Sequence, residues 1–340
     1  MLHSPRFFPR LLSGVCGVVL AGIVLAMPTA HAAYPDVPSN HFAYDAITFL
    51  SNRKFLLGYP DGTFKPDRKV NRAEALKIIA SGFIPKTENV QVKSTDFTDV
   101  PDNAWYLPSI DWALSKRVID GPPTTKTFHP TRAVTKAEFL KMLFAGNGID
   151  PKAFGDIKLP LAADVTDTNA WYYPPLRYAV ASATTVLPES GLYGPARELS
   201  RADVALLLYR FTLYRDSART QDLLTETRKD VERVITHLAQ GKATEAEYAS
   251  ARAILLARGA LLTEPDEAVV KVAVKIAEGF RALTRAYRAS LNGDREAVLK
   301  LAADASTLAS QARKISAEAK SLADQLDKYS KSFADQAKRK

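Results

Sequence analysis

The sequence predicts a mainly α protein in which three helix-loop-helix repeats precede an antiparallel bundle or coiled coil of long helices. Three observations lead to this fold class. A set of residues recurs three times with a period of 63 to 65 positions, each recurrence ends in helix-capping residues, and heptads run through the C-terminal part. A repeat of this length is typical of stacked supersecondary units, and sustained heptads are typical of packed long helices.

Each repeat has an aspartate before valine, an aromatic residue, an apolar residue and a basic residue at nearly constant offsets. The basic residue follows the aspartate by 36, 37 and 37 positions, and the apolar residue follows the aromatic one by 5 in every repeat. The three sets are Asp36, Phe42, Ile47 and Arg72; Asp99, Trp105, Ile110 and Lys136; and Asp164, Trp171, Leu176 and Arg201. Four aligned features do not recur three times by chance, so the repeat belongs to the fold.

The residues between these positions predict a helix, a tight loop and a second helix in each repeat. Phe42 and Ile47 share one face of the first helix. Proline and glycine at Pro60 and Gly62 favour a turn. The second helix begins with a capping box, in which two side chains bond free backbone N–H groups. The three boxes are Asn71 with Glu74, Thr135 with Glu138, and Ser200 with Asp203.

The basic residue directly after each cap is unfavourably placed. A cation at a helix N-terminus opposes the helix dipole at a cost of a few tenths of a kcal/mol. Because Arg72, Lys136 and Arg201 all accept this cost, we expect each to face something acidic. One candidate is a ligand, and the other is an aspartate of the same or a neighbouring repeat; both can hold together.

These motifs resemble the S-layer homology family. Its pattern has an aromatic-x-Asp-Val start, a Trp-Ala-x-x-Ala-Ile helix, a Gly-Tyr-x-Asp-Gly-x-Phe-x-Pro loop and a Thr-Arg-Ala-Glu helix start. Residues 34–74 follow it almost throughout, with Phe42-Ala43 in place of Trp-Ala. The second repeat matches at both ends but has Gly121-Pro122-Pro123 in its loop, and the third has Val186-Leu187-Pro188 where the glycine turn is expected. The resemblance covers residues 34 to about 212.

The resemblance implies a pseudo-threefold helical bundle with grooves between adjacent repeats. In Gram-positive relatives such grooves bind a peptidoglycan-linked polysaccharide that carries pyruvate ketals. By this resemblance the basic residues meet the carboxylate, the aspartates accept sugar hydroxyls or hold the cation, the aromatics line or brace the groove, and the glycines admit the ligand to the backbone. The implied glycan-binding residues are Asp36, Phe42, Gly58, Arg72, Asp99, Trp105, Gly121, Lys136, Asp164, Trp171 and Arg201.

We expect the main contact at Asp36, Gly58 and Arg72, with Arg201 next. Lys136 cannot grip a carboxylate in the bidentate way that arginine can. The divergent loop of the third repeat predicts that the third groove is weak or empty. The aromatic residues have an equally good alternative, because a tryptophan at helical spacing is often a core residue.

The residues after Phe211 predict four helical stretches, approximately 201–240, 244–258, 265–291 and 294–337. Glycines at Gly241 and Gly259 and the Asn292-Gly293 pair separate them. Heptads through Val269–Tyr287 and Val298–Phe333 indicate coiled-coil packing, and the short turns favour antiparallel neighbours. An intrachain bundle is the simpler interpretation. A projecting rod that self-associates or binds another surface protein is the alternative.

The N-terminus predicts secretion. Arg6 and Arg10 precede an apolar run over residues 11–27, and Ala30-His31-Ala32 has the form of a cleavage site. We therefore assign residues 1–32 to a cleaved signal peptide, and we expect no further membrane span. The repeats then occupy residues 34–90, 97–150 and 161–214, and the helical domain residues 215–340.

Composition and motifs predict a non-catalytic envelope protein without cofactor or metal. The net charge is +9, but the basic residues are spread out, which disfavours nucleic acid and suits an acidic polysaccharide. No metal, nucleophile or phosphate-loop motif is present in the sequence. The expected function is anchoring to an anionic cell-wall polysaccharide. The alternatives are a tether between outer membrane and peptidoglycan, or an anchoring subunit for a surface enzyme.

Overall fold

The computed structural model describes residues 34–81, 95–121, 124–150, 152–216 and 219–339. The described residues form eleven α-helices and one turn of 3-10 helix, with isolated bridges in place of strands. The mainly α prediction is therefore confirmed. The predicted signal peptide lies outside the described residues.

Each repeat contributes two short helices joined by a loop. The pairs are α1 (Tyr44–Asn52) with α2 (Arg72–Ser81), α3 (Leu107–Ser115) with α4 (Lys136–Gly146), and α5 (Tyr173–Ala181) with α6 (Arg201–Arg215). The apolar residues Ile47, Ile110 and Leu176 are fully buried at equivalent places in the first helices. The aromatic residues Phe42, Trp105 and Trp171 precede these helices and are exposed, so the prediction that the aromatic and the apolar residue share one helix face is wrong.

The second helix of every repeat begins with the predicted cap. Thr135 and Glu138 form a complete capping box, as do Ser200 and Asp203. In the first repeat, Asn71 Oδ1 accepts from the Glu74 N–H at 2.9 Å, and the Asn71 N–H donates to Glu74 at 3.1 Å. The helix starts are therefore fixed by their own side chains.

The segments before the second helices pair with one another in a closed ring. The bridges join Asn71 to Ala133, Thr135 to Glu198, and Lys69 to Ser200. The first N–H of each helix donates to the loop of another repeat: Arg72 to the Arg132 carbonyl, Lys136 to Arg197, and Arg201 to Arg68, at 2.9, 2.9 and 3.0 Å. Each helix start is consequently joined to the loop of the next repeat, and the third repeat returns to the first.

The C-terminal part consists of α7 (Thr220–Ala239), α8 (Ala243–Thr263), α9 (Ala268–Leu291), α10 (Arg295–Ile315) and α11 (Lys320–Arg339). Successive helices pack against each other from α7 to α11. In the described residues these helices pack on one another within the chain, as the simpler interpretation expected, and association with a partner stays a prediction. No helix in this described part has the length and apolarity that a membrane span requires.

Two predicted helix boundaries before α9 are wrong. Helix α6 ends at Arg215 and α7 starts at Thr220, where a continuous helix was expected. Here Arg219 is buried and donates to the Ala183 carbonyl at 2.7 Å, so tertiary packing overrides helix propensity. Helix α8 runs through Gly259, which does not end it. A Cβ at Gly259 would lie 1.7 Å from the Ala181 carbonyl oxygen, so this glycine lets α8 approach the end of α5.

The single helix predicted over 294–337 is also wrong, because the chain turns at Ser316 between α10 and α11. Ser316 has an extended backbone, and its hydroxyl accepts from the Glu318 N–H at 3.2 Å. Helices α10 and α11 then pair as a hairpin, held by Arg313 with Asp324 at 2.9 Å and by Ser330 with the Ala302 carbonyl. An alanine-rich heptad suits two short helices folded on each other as well as one long rod, so the period did not reveal the turn.

Arg252 of α8 forms a buried ion pair inside the bundle and also contacts the third repeat. Arg252 and Asp230 are 4% and 2% exposed and bond at 2.7 Å. Arg252 also donates to the Leu161 carbonyl at 2.7 Å. A buried pair is costly to break because the remaining charge loses its compensation. This contact joins α7, α8 and the start of the third repeat into one unit.

Candidate functional site

The three aspartates each hold the loop of their own repeat. Both carboxylate oxygens accept a backbone N–H, in the same geometry every time. The donors are Phe64 (2.9 Å) and Lys65 (2.7 Å) for Asp36, Phe128 (2.8 Å) and His129 (2.7 Å) for Asp99, and Tyr193 (3.1 Å) and Gly194 (2.6 Å) for Asp164. The remaining lone pairs of each carboxylate are available for sugar hydroxyls, so that role stays a prediction.

These bonds stabilise an unusual backbone. The second donor of each pair, Lys65, His129 or Gly194, has φ of 57°, 58° and 62°. Residues other than glycine adopt this left-handed region at a cost of about 1 kcal/mol or more. Burial raises the pKa of Asp99, but the N–H groups of Phe128 and His129 lower it by more, so the net pKa lies below its ordinary value. The aspartates thus fix the loop shape.

The two predicted glycines are placed by contacts inside their repeats. A Cβ at Gly58 would lie 2.2 Å from the ring of Tyr34, and one at Gly121 would lie 2.6 Å from Leu114. The Gly58 N–H donates to the Tyr34 hydroxyl at 2.8 Å. These contacts account for glycine at both positions, and access of a ligand to the backbone there remains a prediction.

The basic residues reach the loop of the next repeat. Arg201 donates through Nε to the Phe64 carbonyl and through Nη2 to the Leu57 carbonyl, both at 2.8 Å. Lys136 donates to the Tyr193 carbonyl at 3.0 Å. The expected grouping of Asp36, Gly58 and Arg72 is therefore wrong: the cation at the loop of the first repeat is Arg201, because the closed ring brings the third repeat to the first.

Arg72 has different surroundings. Its guanidinium lies 5.1 Å from the Phe128 ring centre and 3.8 Å from the Glu138 carboxylate. Burial lowers the pKa of Arg72, whereas Glu138 and Asp120 act to raise it. Its side chain is 20% exposed. Arg72 is thus the cation of the set that already has a carboxylate neighbour within 4 Å.

Lys136 and Arg201 are buried without such a neighbour. They are 5% and 6% exposed, and within the described ranges neither forms an ion pair with a carboxylate, the three aspartates included. Burial lowers the pKa of Lys136 to about 8 and also lowers that of Arg201. A buried charge bonded to neutral carbonyls is incompletely compensated, so these two positions favour an anion.

Three further arginines were missed by sequence reasoning. Arg68, Arg132 and Arg197 bond the capping acids Glu74, Glu138 and Asp203 through two nitrogens each. Each stands four residues before the basic residue of its repeat. This constant offset is the sequence signal by which they could have been found. Asp203 and Glu74 act to raise the pKa of Lys136 and Arg201, respectively, so these capping acids contribute to the charge balance there without forming an ion pair.

The aromatic residues lie at the surface. Phe42, Trp105 and Trp171 are 64%, 54% and 58% exposed, so the alternative that they are core residues is wrong. Trp105 packs edge-on against Tyr106 at 5.1 Å, and the Lys77 ammonium lies 4.7 Å from its ring. Exposed rings braced by a neighbour offer flat apolar faces beside hydrogen-bonding groups, as a carbohydrate surface requires.

Comparison with protein families gives a match that agrees with this geometry. Residues 33–76 and 96–140 match the S-layer homology domain. The chain contains two S-layer homology repeats at these residues. An S-layer protein of Bacillus licheniformis is 25% identical over 200 residues, which cover 58% of this chain and 22% of that protein.

Two other relatives have names that indicate different functions. A cellulosome-anchoring protein of Acetivibrio thermocellus is 35% identical over 112 residues, 32% of this chain and 25% of the relative. Outer membrane protein alpha of Thermotoga maritima is 45% identical over 49 residues, 14% of this chain and 12% of the relative. The matched part of the chain therefore spans about a quarter or less of these relatives.

The family match covers two S-layer homology repeats, and the structure describes equivalent geometry beyond them. Asp164 holds its loop as Asp36 does, and Lys136 bonds the Tyr193 carbonyl as Arg201 bonds that of Phe64. Ala183 after α5 has the positive φ found for Lys54 after α1. Residues 161–214 thus repeat the local structure of the matched repeats despite their divergent sequence.

Proposed function

We propose that this chain is a non-catalytic cell-surface anchoring protein whose S-layer homology repeats bind an acidic cell-wall polysaccharide. The observation that carries the proposal is Arg201, a buried guanidinium bonded to two neutral carbonyls with no carboxylate neighbour within 4 Å in the described part of the chain. The similarity to S-layer and cellulosome-anchoring proteins supports a surface role. A secreted location and cleavage after residue 32 belong to the same proposal.

The chemistry of the groove follows from its residues. A ligand carboxylate, for example on a pyruvate ketal, would compensate the Arg201 charge through hydrogen bonds to a charged donor. The Tyr59 and Phe64 rings lie 4.7 and 4.5 Å from the guanidinium and hold it in place. Exposed rings such as Trp171 would contact the apolar faces of neighbouring sugars. The carboxylate of the ligand would be recognised by the charge of Arg201, and the rings would provide contact area for the sugars.

The grooves are unequal under this proposal, in a different order from the one expected from sequence. Arg201 and Lys136 lack a carboxylate neighbour, whereas Arg72 has Glu138 at 3.8 Å. A ligand anion at Arg72 would meet repulsion from that carboxylate. We therefore assign the strongest binding to the groove between the third and first repeats.

A sedimentation assay with purified cell-wall sacculi tests the proposal. The full chain is mixed with native sacculi and with sacculi whose acidic substituents have been chemically removed. We expect binding to the native sacculi and loss of binding to the treated ones. Binding to the native sacculi should weaken as salt rises, because salt screens the attraction between exposed charges. Equal binding to both preparations would refute recognition of acidic groups.

A tether between outer membrane and peptidoglycan is the second candidate, supported by the similarity to outer membrane protein alpha of Thermotoga maritima. The anchoring subunit for a surface enzyme is a third, supported by the cellulosome-anchoring relative. Cross-linking in intact envelopes through a photoreactive residue on the exposed face of α11 separates them. An outer-membrane protein as the product supports the tether, and an enzyme supports the subunit.

A further inference from the structure

The C-terminal bundle contains a cleft to which the S-layer homology repeats contribute no lining residue. It lies over α9 between α8 and α10 and has a volume of about 390 Å³. Arg281 and Arg285 come from α9, and Thr307 and Gln311 come from α10. This is room for a small organic group or the end of a peptide.

The two arginines are the unusual feature of this cleft. They lie one helical turn apart, where like charges repel each other. Among the residues the structure describes, neither side chain has a hydrogen bond or an ion pair. The neighbouring Arg252 and Arg288, in contrast, are held by Asp230 and Glu247. Burial and the charge of Arg285 lower the pKa of Arg281, while Glu247 and Tyr173 act to raise it. Arg281 is partly buried and Arg285 is exposed.

The remaining lining defines what such a cation pair would recognise. Ile254 and Leu308 give the cleft an apolar wall. Of the two acids that line it, Glu278 is held by Lys275 at 3.1 Å, and Asp304 is exposed on α10. The cleft therefore combines two guanidinium groups, two neutral hydrogen-bonding side chains, an apolar surface and two carboxylates, of which that of Glu278 is paired with Lys275.

We propose that this cleft binds a carboxylate that carries an apolar group, with Arg281 and Arg285 bonding the carboxylate and Ile254 and Leu308 contacting the apolar group. Paired guanidinium donors match the planar, two-oxygen geometry of a carboxylate. A free organic acid and the C-terminal carboxylate of a peptide share this chemistry. The site is independent of the wall-binding grooves.

Nuclear magnetic resonance of the full chain, with labelled arginine side chains and methyl groups, tests the proposal. The probe is N-acetyl-leucine, which has both features; N-acetyl-leucine amide lacks the carboxylate, and acetate lacks the apolar group. We expect saturable shifts at the Arg281 and Arg285 side chains and at the Ile254 and Leu308 methyl groups with the first probe. The affinity for the other two is expected to be at least about tenfold lower.

Variants decide whether the cleft itself is responsible. Arg281→Gln and Arg285→Gln should each weaken N-acetyl-leucine binding about tenfold, while Arg295→Gln, at an exposed arginine outside the cleft, leaves it unchanged. Asp304→Asn removes a like charge and should tighten binding about twofold to threefold. A tripeptide ending in leucine that binds more tightly than N-acetyl-leucine assigns the site to peptide C-termini, and equal affinity assigns it to free acids.

Two results would overturn the proposal. One is the absence of saturable shifts at the cleft with N-acetyl-leucine. The other is equal loss of binding in Arg295→Gln and the cleft variants, which would mean that general positive charge is responsible. Retention of sacculus binding by the cleft variants is expected in either case, so the outcome is separate from that of the wall-binding proposal.

Discussion

The binding sites proposed at Arg72 and Arg201 begin from the same motif and differ in their electrostatics. Each arginine follows a capped helix start, and each reaches the loop of the next repeat. Arg72 meets Glu138 and the charge of Asp120 there, whereas Arg201 meets two carbonyls and two rings. In each case the repeat motif supplies the cation, and the neighbouring repeat supplies the groups that surround it and set how far its charge is compensated.

Removal of the two arginines should have the largest effect on stability, and an unequal one. Arg201→Met leaves the Leu57 and Phe64 carbonyls without their donors and should lower the free energy of unfolding by about 3 kcal/mol. Arg72→Met removes a weak ion pair and a ring contact and should cost about 1 kcal/mol. Urea denaturation of both variants checks this, and equal losses would mean that the two grooves are not structurally different.

Lys136 adds a pH dependence that the arginine grooves lack. It faces Arg197, Asp203, Arg210 and Asp164, and burial lowers its pKa from 10.5 to about 8. Between these values the unfolded chain holds a proton that the folded chain has lost. The free energy of unfolding should therefore rise from about pH 8 to about pH 10.5, by up to roughly 3 kcal/mol.

The matched variant for this prediction is Lys136→Arg, which stays charged throughout that range. The difference in unfolding free energy between wild type and variant is measured at about pH 7 and about pH 10. This difference isolates the lysine, because other groups that titrate in this pH range are common to both proteins. A difference that does not change with pH would show that Lys136 has an ordinary pKa.

The smallest expected effect is a gain of binding at the weak groove. Glu138→Gln keeps a residue that completes a capping box but removes the carboxylate beside Arg72. Wall binding of the full chain should strengthen by about twofold to fivefold as the third cation becomes available. Unchanged or weaker binding in the sacculus assay would mean that Glu138 does not limit the Arg72 groove.

Much of the fold was predictable because it depends on local chemistry. The capping residues Thr135 and Ser200 determine where α4 and α6 begin, and the recurring apolar residues, such as Ile110, mark the buried face of the first helices. The turn at Ser316 and the passage of α8 through Gly259 depend on what these helices pack against. A heptad repeat is compatible with one long helix or with a helical hairpin, and a glycine with a helix end or with a close helix contact. Tertiary contacts determine which of the two forms.

The site was predictable residue by residue but not as an arrangement. The three cations were identified from their repeated position, while their partners come from a different repeat and were grouped wrongly. Arg68, Arg132 and Arg197 also carried a constant offset, but their importance depends on the capping acids that they neutralise. Sequence periodicity reveals equivalent residues, whereas the closed ring of bridges determines which of them meet.

Sacculus binding by two matched variants of the full chain tests the central claim most directly. Arg201→Lys and Arg72→Lys keep the charge but remove bidentate donation, and circular dichroism confirms that both fold. The account predicts that Arg201→Lys weakens binding to native sacculi about tenfold and Arg72→Lys by about twofold or less. Equal weakening by both variants, or a larger loss for Arg72→Lys, would contradict the claim that the uncompensated cation at the first loop holds the wall polymer.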